Sequence, residues 1–315
     1  MKTSKKIALI VAAGCIVLGV LLIVFSRPRG GFHELEAHTT TYESKTYDVS
    51  EPFRRICVQD AAMDVRILPA ADGQCRVECY DSRKRTHTVA VTDDTLTVTC
   101  VDLETWYDHI GITWGGWQDI ALTVYLPEQE YESLLLQTAS GDIAVHSDFT
   151  FVEAELRTAS GDVTFTGTVS EQLSIQSTSG EIEVRNTTGS TVQIATTSGD
   201  IDLSRVTADA LSLQSTSGEI ELAAVQISGE AVLETISGDI ALEHSDAGSF
   251  RIKTTSGDIE GALLSGKNFV THTTSGDVRV PPSDSTANVC EVTTTSGDIR
   301  IKVPEGSSDL LPYPL

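Results

Sequence analysis

Aromatic residues are scarce in this chain, and so are basic ones. Only 6% of its 315 residues are Phe, Trp or Tyr, and 22 Lys+Arg face 45 Asp+Glu for a net charge of −23. Five of the basic residues (Lys2, Lys5, Lys6, Arg27 and Arg29) lie in the first thirty positions, a segment with no acid. The remainder, with 17 basic against 45 acidic residues, carries −28. A body of that sign repels phosphate backbones and anionic head groups, which excludes nucleic-acid binding. Beyond the first 25 residues no window has the i, i+3, i+4 apolar spacing of an amphipathic helix, so a helical repeat is excluded too.

Signatures of chemistry are missing as well. The Gly-x-Ser-x-Gly elbow, the His-Glu-x-x-His zinc motif and the calcium-binding Gly-Gly-x-Gly-x-Asp repeat do not occur. The seven histidines (His33, His38, His87, His109, His146, His244, His272) follow no metal spacing. The chain therefore reads as a non-enzyme without cofactor or metal. A glycan-acting β-helix enzyme is the third-ranked alternative, since such a site would gather unique carboxylates where the repeat breaks.

One long apolar run is present. Ile7 to Phe25 holds nineteen residues without a charge. As a helix it would extend roughly 28 Å, against a hydrocarbon core of about 30 Å. An uncleaved single-pass anchor is expected, with cleavage, or acylation at Cys15, as the alternatives. Lysines before the span place residues 1–6 in the cytoplasm and the body outside it, at the cell membrane.

The rest is governed by a repeat, Ser-Gly-Asp/Glu-Ile/Val. Its nine copies centre on Gly141, Gly161, Gly180, Gly199, Gly218, Gly238, Gly257, Gly276 and Gly297, spaced 19 to 21 residues apart. A fixed period near twenty marks a solenoid with one coil per repeat. Period-two apolar pairs flank each glycine, such as Ile182/Val184 after it and Leu173/Ile175 before it, and predict strands with one buried face. The fold expected is all-β, a parallel β-solenoid. Each glycine is a corner, needing either φ > 0 or a close approach to the rung above. Ser or Thr stands three places before every one, so a hydroxyl ladder is expected. Length variation, as at Val225 to Gly229, is expected on a surface loop.

Residues 26–50 read as a polar linker, 51–130 as degenerate rungs, 131–303 as the regular solenoid and 304–315 as a tail. Irregular start and proline-rich end are the candidate caps. The (T/S)-x-S-G-(D/E)-(I/V) repeats, after a strand-rich segment ending near Leu126-Pro127, resemble a bacterial family of β-strand-repeat proteins catalogued as adhesins or as a domain of unknown function. The resemblance covers roughly residues 50–303. It implies a right-handed β-solenoid on the cell envelope, with some relatives encoded near envelope-stress regulators, and it assigns no catalytic residues.

On these grounds the leading functional expectation is a non-catalytic envelope module that binds wall glycan or an envelope protein. The alternative is an accessory or sensor of an envelope-stress response, acting through a membrane partner. An acid follows every corner glycine: Asp142, Asp162, Glu181, Asp200, Glu219, Asp239, Asp258, Asp277 and Asp298. Each is expected to cap its own corner, and a row of weak divalent-cation sites is the functional alternative. Trp106, Tyr107, Trp114 and Trp117 form either an end plug or a recognition loop. Cys75 and Cys79, about 13 Å apart if on one strand, cannot bridge. Two pairings of Cys57, Cys75, Cys79 and Cys100 survive, with four reduced thiols as the expectation, and Cys290 falls at an inward position.

Overall fold

A computed structural model describes residues 42–102, 120–146 and 149–303. The expected anchor at 7–25, Cys15, the tryptophan-rich segment and the tail 304–315 lie outside the described residues. Among the described residues there is no helix, and so none long and apolar enough to cross a membrane.

The expected parallel β-solenoid is what the strands build. Each repeat supplies one strand before its glycine and one after it. The strands before the glycines stack in parallel register into one face, and those after them into a second. Inward pairs such as Leu173/Ile175 and Ile182/Val184 are buried, as period two requires. Cys290 is buried among them. The core is thus one continuous column of Val, Ile, Leu and Phe between the two faces.

Close approach, rather than a special φ, explains the corner glycines. A Cβ on Gly218 would stand 1.8 Å from the carbonyl oxygen of Gly199, and one on Gly161 would stand 1.9 Å from that of Gly141. No side chain fits there. The hydroxyl ladder forms, but it runs through backbone. Thr158 Oγ1 donates to the Gly141 carbonyl at 3.3 Å and accepts from its own Gly161 N–H at 3.0 Å. Thr235 and Thr254 donate likewise to Gly218 and Gly238.

The opposite corner uses a different device. Six places after four consecutive corner glycines stand Asn186, Arg205, Ala224 and His244, all at φ of 48–55°. This left-handed turn sends the chain back towards the first face. The length variation expected on a loop at Val225–Gly229 is instead absorbed at the start of the strand Gln226–Glu234: Val225 just before it and Ile227 within it are buried, and a register shift falls between Ile227 and Glu230. A β-bulge accommodates the additional residue without breaking the stack.

The ends depart from sequential stacking. The Gly297 rung lies between the Gly257 and Gly276 rungs. Its strands pair with Phe250–Lys253 and Ile259–Ala262 on one side, and with Asn268–His272 and Val278–Arg279 on the other. The rung last in sequence is therefore second to last in space, and Val278, an inward residue by phase, is left 41% exposed at the end.

The other end repeats the arrangement. Strands β2 (Arg55–Gln59) and β3 (Asp64–Pro69) form a rung turning at Met63. On one side it pairs with Glu130–Gln137 and Ile143–Val145, the strands of the Gly141 rung. On the other it pairs with β6 (Thr95–Asp102) and β7 (Ala121–Leu126). Three antiparallel strands finish this end: β4 (Cys75–Asp81) on β7, β1 (Glu43–Val49) on β4, and β5 (Arg85–Thr92) on β6. Residues 51–102 and 120–130, within the segment read as degenerate rungs and N-terminal cap, thus form two rungs and most of an antiparallel cap, and the segment 26–50 read as a polar linker supplies β1 to that cap, because its alternating residues pair along β4.

Candidate functional site

The acid row lies along one corner, and its carboxylates do not cap their own turns. Each aspartate but Asp277, which ends the stack, accepts the backbone N–H of the acid on the next rung: Asp162 N–H to Asp142 at 2.9 Å, Glu219 N–H to Asp200 at 2.8 Å, and Asp298 N–H to Asp258 at 2.8 Å. Asp142 N–H extends the ladder to Asp64. At the far end it closes with Asp277 N–H on Asp298. Where glutamate stands, at Glu181 and Glu219, the rung that follows lacks this bond among the described residues. Asp202, outward on the neighbouring row, has its pKa pushed up to about 6 by burial, a hydrogen bond with Glu181 and the charges of Glu181, Glu221 and Asp200. The row is first a structural seam.

A groove of about 860 Å³ runs along the side just before the first face, from Thr168 on one rung to Asn288 several rungs away. Its origin is a change in side-chain volume down one inward column. In register, that column reads Tyr131, Phe151, Val169, Gly189, Ala208, Ile227, Ala247. Aromatic rings fill the interior at its start, with Phe53, Tyr131 and Phe151 in contact. Where Gly and Ala replace them, the wall sinks towards the axis and leaves a concave surface. Register shifts beside Val169, Ala208 and Ile227 bend the strands at the same place.

Hydroxyls line the walls. Ser190 Oγ donates to the Ser170 carbonyl at 2.9 Å, and Ser228 Oγ donates to Asp209 Oδ1 at 2.8 Å. Lys267, almost wholly buried, closes one end with Nζ 2.6 Å from both Asp246 Oδ1 and the Ala247 carbonyl. The groove repeats small polar groups at every rung. That suits a long polymer with a short repeat better than a compact substrate held by convergent groups.

A second constellation lies under the antiparallel cap. His87 on β5 is held between two carboxylates, with Nε2 2.8 Å from Asp60 Oδ2 and Nδ1 2.7 Å from Asp81 Oδ1. Asp60 Oδ1 accepts the N–H groups of Ala62 and Met63 at 2.8 Å each and faces Arg85 at 3.3 Å. Lys45 Nζ lies 2.6 Å from Asp81 Oδ2. Burial opposes charge on His87, but the hydrogen bonds to Asp60 and Asp81, with the Cys100 and Cys79 sulfurs alongside the ring, raise its pKa to about 12. Burial likewise works against the Asp60 carboxylate, while His87, Arg85 and the two N–H groups bring it down to about 2. Two sets of possible metal ligands share the histidine, Asp60–His87–Cys100 and Cys79–Asp81–His87, and in each the ligand atoms lie within 4.8 Å of one another.

Sequence reading found neither the groove nor this cluster. Signals for the second were present. Arg85 and His87 occupy alternate inward positions of β5, where apolar residues belong, and Asp60 stands three places before Met63 as Thr138 stands before Gly141. Cys57, Cys75, Cys79, Cys100 and Cys290 are free thiols. Cys75 and Cys79 share β4, as the spacing argument required. Residues 103–119, with Trp106, Tyr107, Trp114 and Trp117, connect β6 to β7 and lie outside the described residues.

Toastrack DUF4097 matches residues 53–253 and 230–310. No curated protein matches the chain. Among solved structures, a putative adhesin from Bacteroides fragilis is 14% identical with a TM-score of 0.43, covering 85% of this chain and 100% of its own. A putative lipid binding protein from Parabacteroides distasonis is 14% identical with a TM-score of 0.47, covering 82% and 97%.

Proposed function

This chain belongs to the Toastrack DUF4097 family, and from that premise we propose that it is a non-catalytic extracytoplasmic binding module whose groove takes an extended, hydroxyl-rich polymer such as wall glycan. The single observation that carries the reading is the groove's repetition, with Ser170, Ser190, Asp209 and Ser228 at the equivalent position of four successive rungs, beside a floor thinned by Gly189, Ala208 and Ala247. Rungs rise by about 4.8 Å, so the groove is on the order of 25–30 Å long and presents similar hydrogen-bonding groups at each step. Hydroxyl and backbone groups recognise a neutral sugar chain by many weak contacts that add along its length. In this reading Ile7–Phe25 anchors the chain in the membrane and holds the solenoid outside it. The seam of carboxylates along the other corner keeps like-charged polymers away from that side.

The test is retention of purified wall glycan by the immobilised chain, compared with Ser170→Arg and Ser228→Arg together. Both serines are exposed, so the pair should leave folding intact while its long side chains fill the groove. Loss of retention in the double variant is the expected result. Equal retention by both proteins, or none by either, removes the groove from consideration. Retention of a membrane protein alone favours the sensor role instead.

A further inference from the structure

We propose that Asp60, His87 and Cys100 form a binding site for one zinc-class divalent cation beneath the antiparallel cap. Three different donor types converge there, a carboxylate oxygen, an imidazole nitrogen and a thiol sulfur. All lie within 4.8 Å of one another and come from separate parts of the chain: the corner after β2, β5 and β6. In a tetrahedral zinc site with such ligands the donor atoms sit about 3.3–3.7 Å apart, so the His87 Nε2–Asp60 Oδ2 pair, 2.8 Å apart without an ion, opens slightly and the other spacings, all within 4.8 Å, need only small adjustment. Mixed nitrogen, sulfur and oxygen ligation selects zinc over calcium or magnesium, which take oxygen alone.

The surroundings fit the same assignment. Asp81 accepts from Nδ1 of His87 at 2.7 Å, leaving Nε2 towards Asp60, the carboxylate–histidine–metal arrangement that fixes a ligating ring. Asp60 Oδ1 is committed to two backbone N–H groups and Arg85, whereas Oδ2 faces His87 Nε2 at 2.8 Å. The other triad is less suited. Asp81 there is engaged by Lys45, by the His87 backbone N–H and by the ring. A cavity of about 180 Å³ lined by Tyr42, Met63, Asp64 and Arg85 borders the cluster at Arg85.

An ion held by these three ligands ties β5 of the cap to β6 and to the β2–β3 rung.

The experiment uses the full chain, freed of metal with a chelator and titrated with Co²⁺ as a spectroscopic stand-in for Zn²⁺. The expected result is saturation at one equivalent with the sulfur-to-cobalt charge-transfer band of a thiolate ligand. That band should be absent in Cys100→Ser and retained in Cys57→Ser, since Cys57 lies on the outward side of β2. Alkylation of the unaltered chain, read cysteine by cysteine by mass spectrometry, gives a check independent of any variant's folding. Zn²⁺ should slow labelling of Cys100 at least tenfold and leave Cys57 unchanged. Absence of one-equivalent binding, a band that persists in Cys100→Ser, or equal labelling of Cys100 with and without Zn²⁺ overturns the assignment.

Discussion

A single methylene separates the two acids used after the corner glycines, and it decides whether consecutive rungs are linked there. Aspartate reaches the next rung's N–H, as in the 2.8 Å bond from Glu219 N–H to Asp200, whereas the rungs after Glu181 and Glu219 lack the equivalent. Glu181→Asp and Glu219→Asp should each add a bond and stabilise the chain by about 1 kcal/mol, measured by denaturant unfolding. No change, or a loss, would show that the seam is not set by side-chain length. Asp202 behaves in the opposite sense. Burial and the neighbouring carboxylates lift its pKa from 3.8 to about 6. The folded state thus holds the proton more tightly than the unfolded chain, and this residue destabilises the fold above pH 6. That cost is relieved as pH falls from 6 towards 4. Asp202→Asn should therefore raise the melting temperature at pH 7.5, by the equivalent of about 1 kcal/mol once solvent screening is allowed for, and should gain nothing at pH 4.

At the scale of elements, two corners of the same rung solve the turn differently. The first tolerates only glycine, because a side chain would strike the carbonyl of the rung before it. The second accepts Asn, Arg, Ala and His at φ near 50°, so its constraint is backbone strain and not space. Ala224 is the clearest instance, since it is exposed and has no polar side chain to compensate. Ala224→Gly should stabilise by about 1 kcal/mol, and Ala224→Val should cost more than that, both read from thermal unfolding. The first corner was legible in the sequence, for a glycine every 19 to 21 residues leaves little else to infer. Nothing comparable marked the second, because a left-handed turn made from four different residues has no repeated letter. The inward pairs were legible too. What they could not tell was rung order, since every rung carries the same period-two pattern and any two can pair. The Gly297 rung slips beside Gly257, and β2–β3 slips between β6–β7 and the Gly141 rung, without a local sign. Likewise, Asp60, His87 and Cys100 are distant in sequence and meet only because β5 folds onto β6 and β6 onto β2.

The described residues build a shaft with one edge acidic, one side hollowed and one end finished by antiparallel strands. The β2–β3 rung and the Gly297 rung each lie behind a neighbour and are paired on both sides, so that neither can fray without breaking both sets of pairing. That stiffness is what a repetitive binding surface needs, since contacts separated by several rungs add only if their spacing is held. A rigid groove with one set of groups per rung makes a specific claim about length. The most direct measurement is the dissociation constant of the full chain for linear wall-glycan fragments of increasing length, determined by titration calorimetry. Affinity should rise with each added unit until the fragment spans the groove, roughly 25–30 Å, and then level off, with Ser170→Arg cutting short the rise. An affinity that is the same for the shortest and the longest fragments, or that is untouched by Ser170→Arg, would contradict the account.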